Sequence, residues 1–318
     1  MTPRLFKQID VFTWVPYLGN PLAVVLNGSG LDDAAMQRFA CWTNLSETSF
    51  LLPPTDASAD YRVRIFTPGG ELPFAGHPTL GSCHAWLEAG GQPKAADFII
   101  QECPLGLIKI RREAGGEDGG SGKHLAFCAP PLNRSLPDLA WQRQVTDALG
   151  LQPEQILAAQ LLDNGPVWLG LLLDSVETVL QLVPDHLALK KLGAKVGVAA
   201  LYPPNDTPPL IARANREARA FDSAAKQAAV AGPDLEVRAF AAGMGIDEDP
   251  VTGSLQASLA QWLITEGRLP ARYLASQGTC IGRAGQVQIE RDAQGEVWVG
   301  GASVTCIDGR VSLEATAP

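Results

Sequence analysis

Cysteine is scarce and scattered: six residues (Cys41, Cys83, Cys103, Cys128, Cys280, Cys306) with no CxxC pair. That pattern points to reduced, mostly buried thiols and a cytoplasmic location. The opening stretch MTPRLFKQIDVFT lacks the basic segment and long apolar run of a secretory signal, so the sequons at Asn44 and Asn133 are expected to be idle. No apolar run nears the ~20 residues of a membrane helix; 167–173 is among the longest. Basic residues are outnumbered 25 to 34, for a formal charge of −9, which excludes the broad basic surface that a nucleic acid partner requires. A local site can still hold an anion against that mean field. Several catalytic signatures are missing: no GxSxG elbow, no P-loop, no HExxH among four histidines, and a Gly243-Met244-Gly245 without its third glycine. Neither a metal nor a cofactor is therefore expected. With 46% hydrophobic and 19% charged residues, the chain has the balance of a globular protein with a substantial core. Its length allows two domains or one large one.

Short strands with turn punctuation fill the first third, at 7–12, 21–26, 49–52 and 61–66. A helix over 33–43 puts Met36, Phe39 and Ala40 on one face, and a second, over 79–89, follows Pro78 with Leu80, Cys83 and Leu87 as its stripe. Cys83 lies too far into that helix to be an activated nucleophile. Stretches 98–103 and 105–111 read as a hairpin, and Gly-rich 113–122 as a flexible tip. The second half repeats the plan: a strand at 125–128, a helix at 139–150, strands at 166–173, 197–202 and 235–241, a helix over 255–266, and closing strands at 287–290, 297–299 and 311–314. The Pro-rich, then Ala/Arg-rich stretch 203–233 suits neither core strand nor binding loop and reads as an insertion.

Each half also carries a Pro- and Gly-containing turn before a helix that ends near a tryptophan. These are Phe74-Ala75-Gly76-His77-Pro78 before Trp86 and Glu248-Asp249-Pro250-Val251-Thr252-Gly253-Ser254 before Trp262. The Gly76-to-Trp86 and Gly253-to-Trp262 spacings differ by one residue, which suggests two related lobes. Unpaired N–H groups at a helix start, aided by the macrodipole, attract an anion, and glycine lets the ligand approach closely. Facing starts can hold a carboxylate and stabilise charge developing beside it; ordinary capping is the plain alternative for either turn alone. Glu47, in Asn44-Leu45-Ser46-Glu47-Thr48-Ser49-Phe50, sits among hydroxyls and apolar neighbours. Partial burial would raise its proton affinity toward neutrality, as a carbon-acid base needs, whereas a surface glutamate needs no such explanation. His77 can donate to a substrate oxygen, position Glu47, or cap the helix. Asp249 reads as a second carboxylate orienting a substrate amine or hydroxyl.

Taken together, these segments resemble the PhzF-like phenazine-biosynthesis isomerase family, which shares a fold with diaminopimelate epimerase. The matching residues are Asp10-Val11-Phe12-Thr13, Gly19-Asn20-Pro21-Leu22-Ala23-Val24-Val25, Asn44-Leu45-Ser46-Glu47-Thr48, Arg64-Ile65-Phe66-Thr67-Pro68, the run from Glu71 through Gly76-His77-Pro78 to Gly81, the run from Glu248 to Ser254, and Gln277-Gly278 with Gly282-Arg283. The likeness runs from about residue 7 to residue 310. It implies an α+β fold of two pseudo-symmetric lobes, each a curved sheet around a central helix: 1–130, with 300–318 as a candidate completing strand, and 131–300, carrying the 203–233 insertion. In the family, the Glu of the Asn-Leu-Ser-Glu-Thr motif shuttles a proton between carbons of a cyclic dihydro-hydroxyanthranilate, and Glu47 holds that place. His77, Asp249 and Ser254 match the family's site His, Asp and Ser, while backbone at Gly76 and Gly253 would hold the substrate carboxylate. The epimerase relatives place a cysteine pair at their helix starts; this chain has none there, which argues against two-base racemisation. Leu255-Gln256 stand where many members carry a small residue and a His, and both are expected near the pocket. The resemblance thus implies a cofactor-independent isomerase of a small carboxylate anion, homodimeric as the family tends to be, with no membrane partner. A non-catalytic binding protein, or an epimerase or lyase on the same fold, stays open, and phenazine synthesis itself does not follow.

Overall fold

Along Tyr61–Thr67, Tyr61, Val63 and Ile65 turn inward while Arg62 and Arg64 are half-exposed, the period-2 pattern of a strand with one covered face. The computed structural model describes residues 2–113, 124–203 and 232–314; most of the Gly-rich tip and residues 204–231 of the expected insertion lie outside them. The first half runs β1 (Thr2–Val11), β2 (Asn20–Val25), α1 (Asp33–Thr43), β3 (Glu47–Leu52), β4 (Tyr61–Thr67), β5 (Gly70–Leu72), α2 (Gly76–Glu88), β6 (Phe98–Cys103), β7 (Gly106–Glu113) and β8 (His124–Cys128). The second runs β9 (Asn133–Ser135), α3 (Leu139–Ala148), β10 (Ile156–Asp163), β11 (Val167–Leu173), α4 (Val176–Gln181), α5 (His186–Lys191), β12 (Val196–Leu201), β13 (Leu235–Ala241), β14 (Ile246–Asp249), α6 (Gly253–Thr265), β15 (Arg272–Gln277), β16 (Gly285–Arg291), β17 (Val297–Gly301) and β18 (Ser303–Leu313).

The pairing is the same in both halves. β1 lies antiparallel to β2, β2 parallel to β3 across α1, β3 antiparallel to β4, and β4 parallel to β6 across α2, with β7 and β8 completing a meander. Likewise β10 is antiparallel to β11, β11 parallel to β12 across α4 and α5, β12 antiparallel to β13, and β13 parallel to β15 across α6, followed by β16 and β17. An antiparallel β8–β17 pair joins the halves, and β18 returns to lie along β1. The fold is α+β with two pseudo-symmetric lobes.

Helices α2 and α6 are the lobe centres. Leu80 and Cys83 on α2, and Leu255, Leu259, Trp262 and Leu263 on α6, are fully buried in one core that spans both halves. Burial extends around most of each helix, with even Ser82 and Ser258 removed from water. A surface helix would show one polar face instead.

The elements differ from the sequence reading at several points. Both central helices start earlier than expected, at Gly76 and Gly253, because glycines that read as turn residues occupy the first helical turn. Strands β5, β9, β10, β14 and β15 and helices α4 and α5 were not anticipated. Among the described residues, no helix is long and apolar enough to cross a membrane.

Candidate active site

Helices α2 and α6 meet end to end. A Cβ placed on Gly76 would stand 3.0 Å from the Cα of Gly253 and 2.8 Å from the Phe127 ring; one on Gly253 would stand 3.1 Å from the Cα of Gly76. The two glycines are thus required by close backbone approach. Neither N-cap residue, Ala75 or Thr252, caps its helix with a side chain. The first-turn amides and the positive ends of both dipoles therefore converge on one region, a geometry suited to negative charge.

Glu47 reaches this region from β3. Helix α1 ends at Asn44, whose left-handed backbone (φ 55°) turns the chain into the strand, and the parallel register sets Glu47 opposite Leu22. Its side chain is only 13% exposed. Burial pushes the carboxyl up to about 8, with repulsion from the Asp249 carboxylate adding to it. Asp249, at the end of β14, is also raised by burial, against hydrogen bonds from Thr252 and Asn20 that pull it down. Asp249 thus ionises first and Glu47 keeps its proton longer.

His77, the second residue of α2, is buried, and burial drives its imidazole down to about 3, so the ring is neutral. Its Nε2 stands 3.4 Å from Glu47 Oε2. With both groups uncharged, this is no ion pair, and neither atom makes an aligned hydrogen bond. The tautomer follows from Asn20. Its amide nitrogen donates to Asp249 Oδ1 (2.9 Å) and to the Val251 carbonyl (2.8 Å), and it faces His77 Nδ1 at 3.4 Å. A proton on Nδ1 would collide with those amide hydrogens, so Nε2 carries it and points toward Glu47.

A second layer fixes Asp249. Thr252 Oγ1 donates to Asp249 Oδ2 (2.6 Å), and Gln277 Nε2 donates to Thr252 Oγ1 (2.9 Å) and to the Asp249 carbonyl (3.0 Å). Gln277 Oε1 in turn accepts from the Thr252 amide and from Gln256 Nε2. On the other wall, Trp168 Nε1 donates to Ser254 Oγ (3.2 Å) and Asn164 Nδ2 to the Ser254 carbonyl (2.9 Å).

These groups border a cavity of about 220 Å³. Glu47, Gly76, His77, Asp249, Gly253 and Ser254, the catalytic and substrate-binding candidates named from sequence, all line it. Leu255 and Gln256 are a correction: neither lines the cavity. Leu255 turns into the core, so close to Gly197 that a Cβ there would meet it at 2.4 Å, and Gln256 faces Gln277. One helical step past Ser254 already points away from the cleft. Sequence reasoning did not assign Asn20, Thr252, Gln277, Asn164, Trp168 or Lys195. The first three stand inside motifs that were noticed, but nothing local marks their partners. Among the described residues, no cluster of three or more metal-ligating side chains occurs.

The chain belongs to the phenazine biosynthesis-like (PhzC-PhzF) family, which it matches over residues 9–309. It is 34% identical to antisense-enhancing sequence 1 of Schizosaccharomyces pombe, over 98% of this chain and 99% of that protein. It is 31% identical to the trans-2,3-dihydro-3-hydroxyanthranilate isomerase of Pseudomonas aeruginosa, over 97% and 99% respectively. Among solved structures it resembles a PhzF-family phenazine biosynthesis protein of Bacillus anthracis, with a TM-score of 0.77 at 21% identity, covering 98% of this chain and 100% of the other. The two-lobed fold is of the diaminopimelate epimerase-like kind. The family and its relatives define the protein as a PhzF-like isomerase.

Proposed function

We propose that the protein shifts a proton between carbons of a small cyclic or amino carboxylic acid, with Glu47 as general base and then general acid and without a cofactor. One observation carries this reading: Glu47 Oε2 and His77 Nε2 are buried, lack partners, and border a cavity against two uncapped helix starts. Polar atoms in that state cost stability unless a ligand completes them. The substrate carboxylate binds the first-turn amides of α2 and α6. Ionised Glu47 takes a proton from the adjacent carbon, the helix ends and the His77 Nε2–H stabilise the charge that spreads over the carboxyl, and Glu47 returns the proton to another carbon. Asp249, fixed by Asn20 and Thr252, orients an amine or hydroxyl, and Ser254 contacts the bound acid. The chain moves no electrons in this step, so proton transfer alone suffices. At about 220 Å³ the cavity lies below the ~300–1,000 Å³ of drug-sized sites, in keeping with a small substrate. We read the lobes as dividing near residue 130, with 300–318 completing the first, and the functional unit as a homodimer.

The test is incubation in heavy water with a panel of cyclic and amino carboxylic acids that includes trans-2,3-dihydro-3-hydroxyanthranilate. The wild-type protein is expected to incorporate deuterium into carbon. Glu47→Gln is expected to cut incorporation by at least ~10²–10⁴-fold while binding the acid nearly as well. Near-normal incorporation by Glu47→Gln rules out the assignment, and no incorporation by wild type with any acid it binds favours a binding protein instead.

A further inference from the structure

Among the described residues, Lys195 is the one lysine or arginine that lines the cavity. It immediately precedes β12, and the register gives that position a meaning. Leu22 pairs with Glu47 where β2 meets β3, and Leu169 pairs with Val196 where β11 meets β12. Lys195 therefore stands, in the second lobe, beside the place from which the first lobe presents Glu47. It is half-buried, and among the described residues its ammonium has neither a hydrogen bond nor an ion pair, although two carboxyl groups border the same space. A partly desolvated, unpaired ammonium is unfavourable until an anion meets it. Much of the cavity wall is apolar, with Phe74, Leu105, Trp168, Met244 and Ile246 among the lining residues.

We propose that Lys195 receives a second anionic group of the substrate, which makes the substrate class a small dicarboxylic acid. This rests on the reading of the cavity as a carboxylic-acid site. One carboxylate meets the helix starts beside Glu47, the hydrocarbon body crosses the apolar wall, and the other carboxylate pairs with Lys195. Such a pair gives specificity as well as attraction, because a monoacid leaves the ammonium unpaired.

Calorimetric titration of the full chain with benzoate, isophthalate and terephthalate tests this, since the rigid rings fix where the second carboxylate falls. At least one diacid is expected to bind wild type tenfold or more tightly than benzoate does. Lys195→Met is expected to erase that gap while holding benzoate affinity within about twofold, which also reports that the variant is folded, and Lys195→Arg to restore most of it. Equal binding of all three acids by wild type overturns the proposal, as does failure of both diacids to bind. Equal weakening of benzoate and the diacid in Lys195→Met also overturns it, because Lys195 would then hold the first carboxylate. None of these outcomes depends on turnover: absence of a diacid preference in the wild-type protein, with Glu47-dependent deuterium exchange intact, sinks only the role of Lys195, whereas exchange that survives Glu47→Gln sinks the isomerase mechanism.

Discussion

A carboxylic acid inside a protein works as a base only in the fraction of molecules where it is ionised, and burial sets that fraction for Glu47. With its proton affinity lifted to about 8, the ionised form grows roughly tenfold per pH unit below that value. The expected profile of kcat/KM therefore rises with slope near one through pH 6 to 7 and levels off above 8. A flat profile over that range contradicts the role given to Glu47. The same shift has a stability consequence of definite sign. Near pH 4 the group is protonated whether the chain is folded or not. As pH rises past 4.5 the unfolded chain ionises it while the folded one holds the proton until about 8, so stability is lost across that window at up to ~1.4 kcal/mol per unit. Glu47→Gln is expected to melt above wild type at pH 8, with the difference closing toward pH 4. At this scale the sequence was informative, because Glu47, His77 and Asp249 sit in distinctive short motifs. Asn20 was not legible as a partner, since its hydrogen bond to Asp249 joins residues 229 apart in the chain.

At the scale of elements, the junction of α2 and α6 is the feature on which the anion site depends. Replacing glycine by alanine inside a helix usually stabilises it by up to ~1 kcal/mol. Here the added methyl would stand 3.0–3.1 Å from the opposing backbone, so the helices must separate. Gly253→Ala is expected to destabilise the protein by about 1–3 kcal/mol, measured by denaturant unfolding. Misplacement of the amides by ~1 Å is expected to slow turnover ~10²-fold. A gain in stability shows instead that the two starts have room. The Gly–Trp spacing made the pair of helices legible, although their first turns were read as loop. Strand β10 was missed for a physical reason: most of Ile156–Asp163 is half-exposed, with only Leu162 fully buried, so no alternation survives in the sequence.

For the whole molecule, the two halves share one pairing plan, and the chain returns at its last described strand to the first. β18 runs along β1 from Thr2↔Leu313 to Val11↔Ser303. Removal of residues 302–318 would bare a long edge above buried Ile9 and Val11. The shortened chain is expected to lose its near-ultraviolet dichroism and cooperative melt; a wild-type melting temperature contradicts this. Pairing between strands so far apart in the chain leaves no local trace in a sequence.

The state of one carboxyl group decides most between a proton carrier and an ordinary surface acid. A pH titration of the glutamate side-chain carbons by ¹³C magnetic resonance, with Glu47→Gln to assign the signal, reads that state directly. A Glu47 midpoint near 8 is the expected result. A midpoint near 4.5, the ordinary value for glutamate, contradicts it.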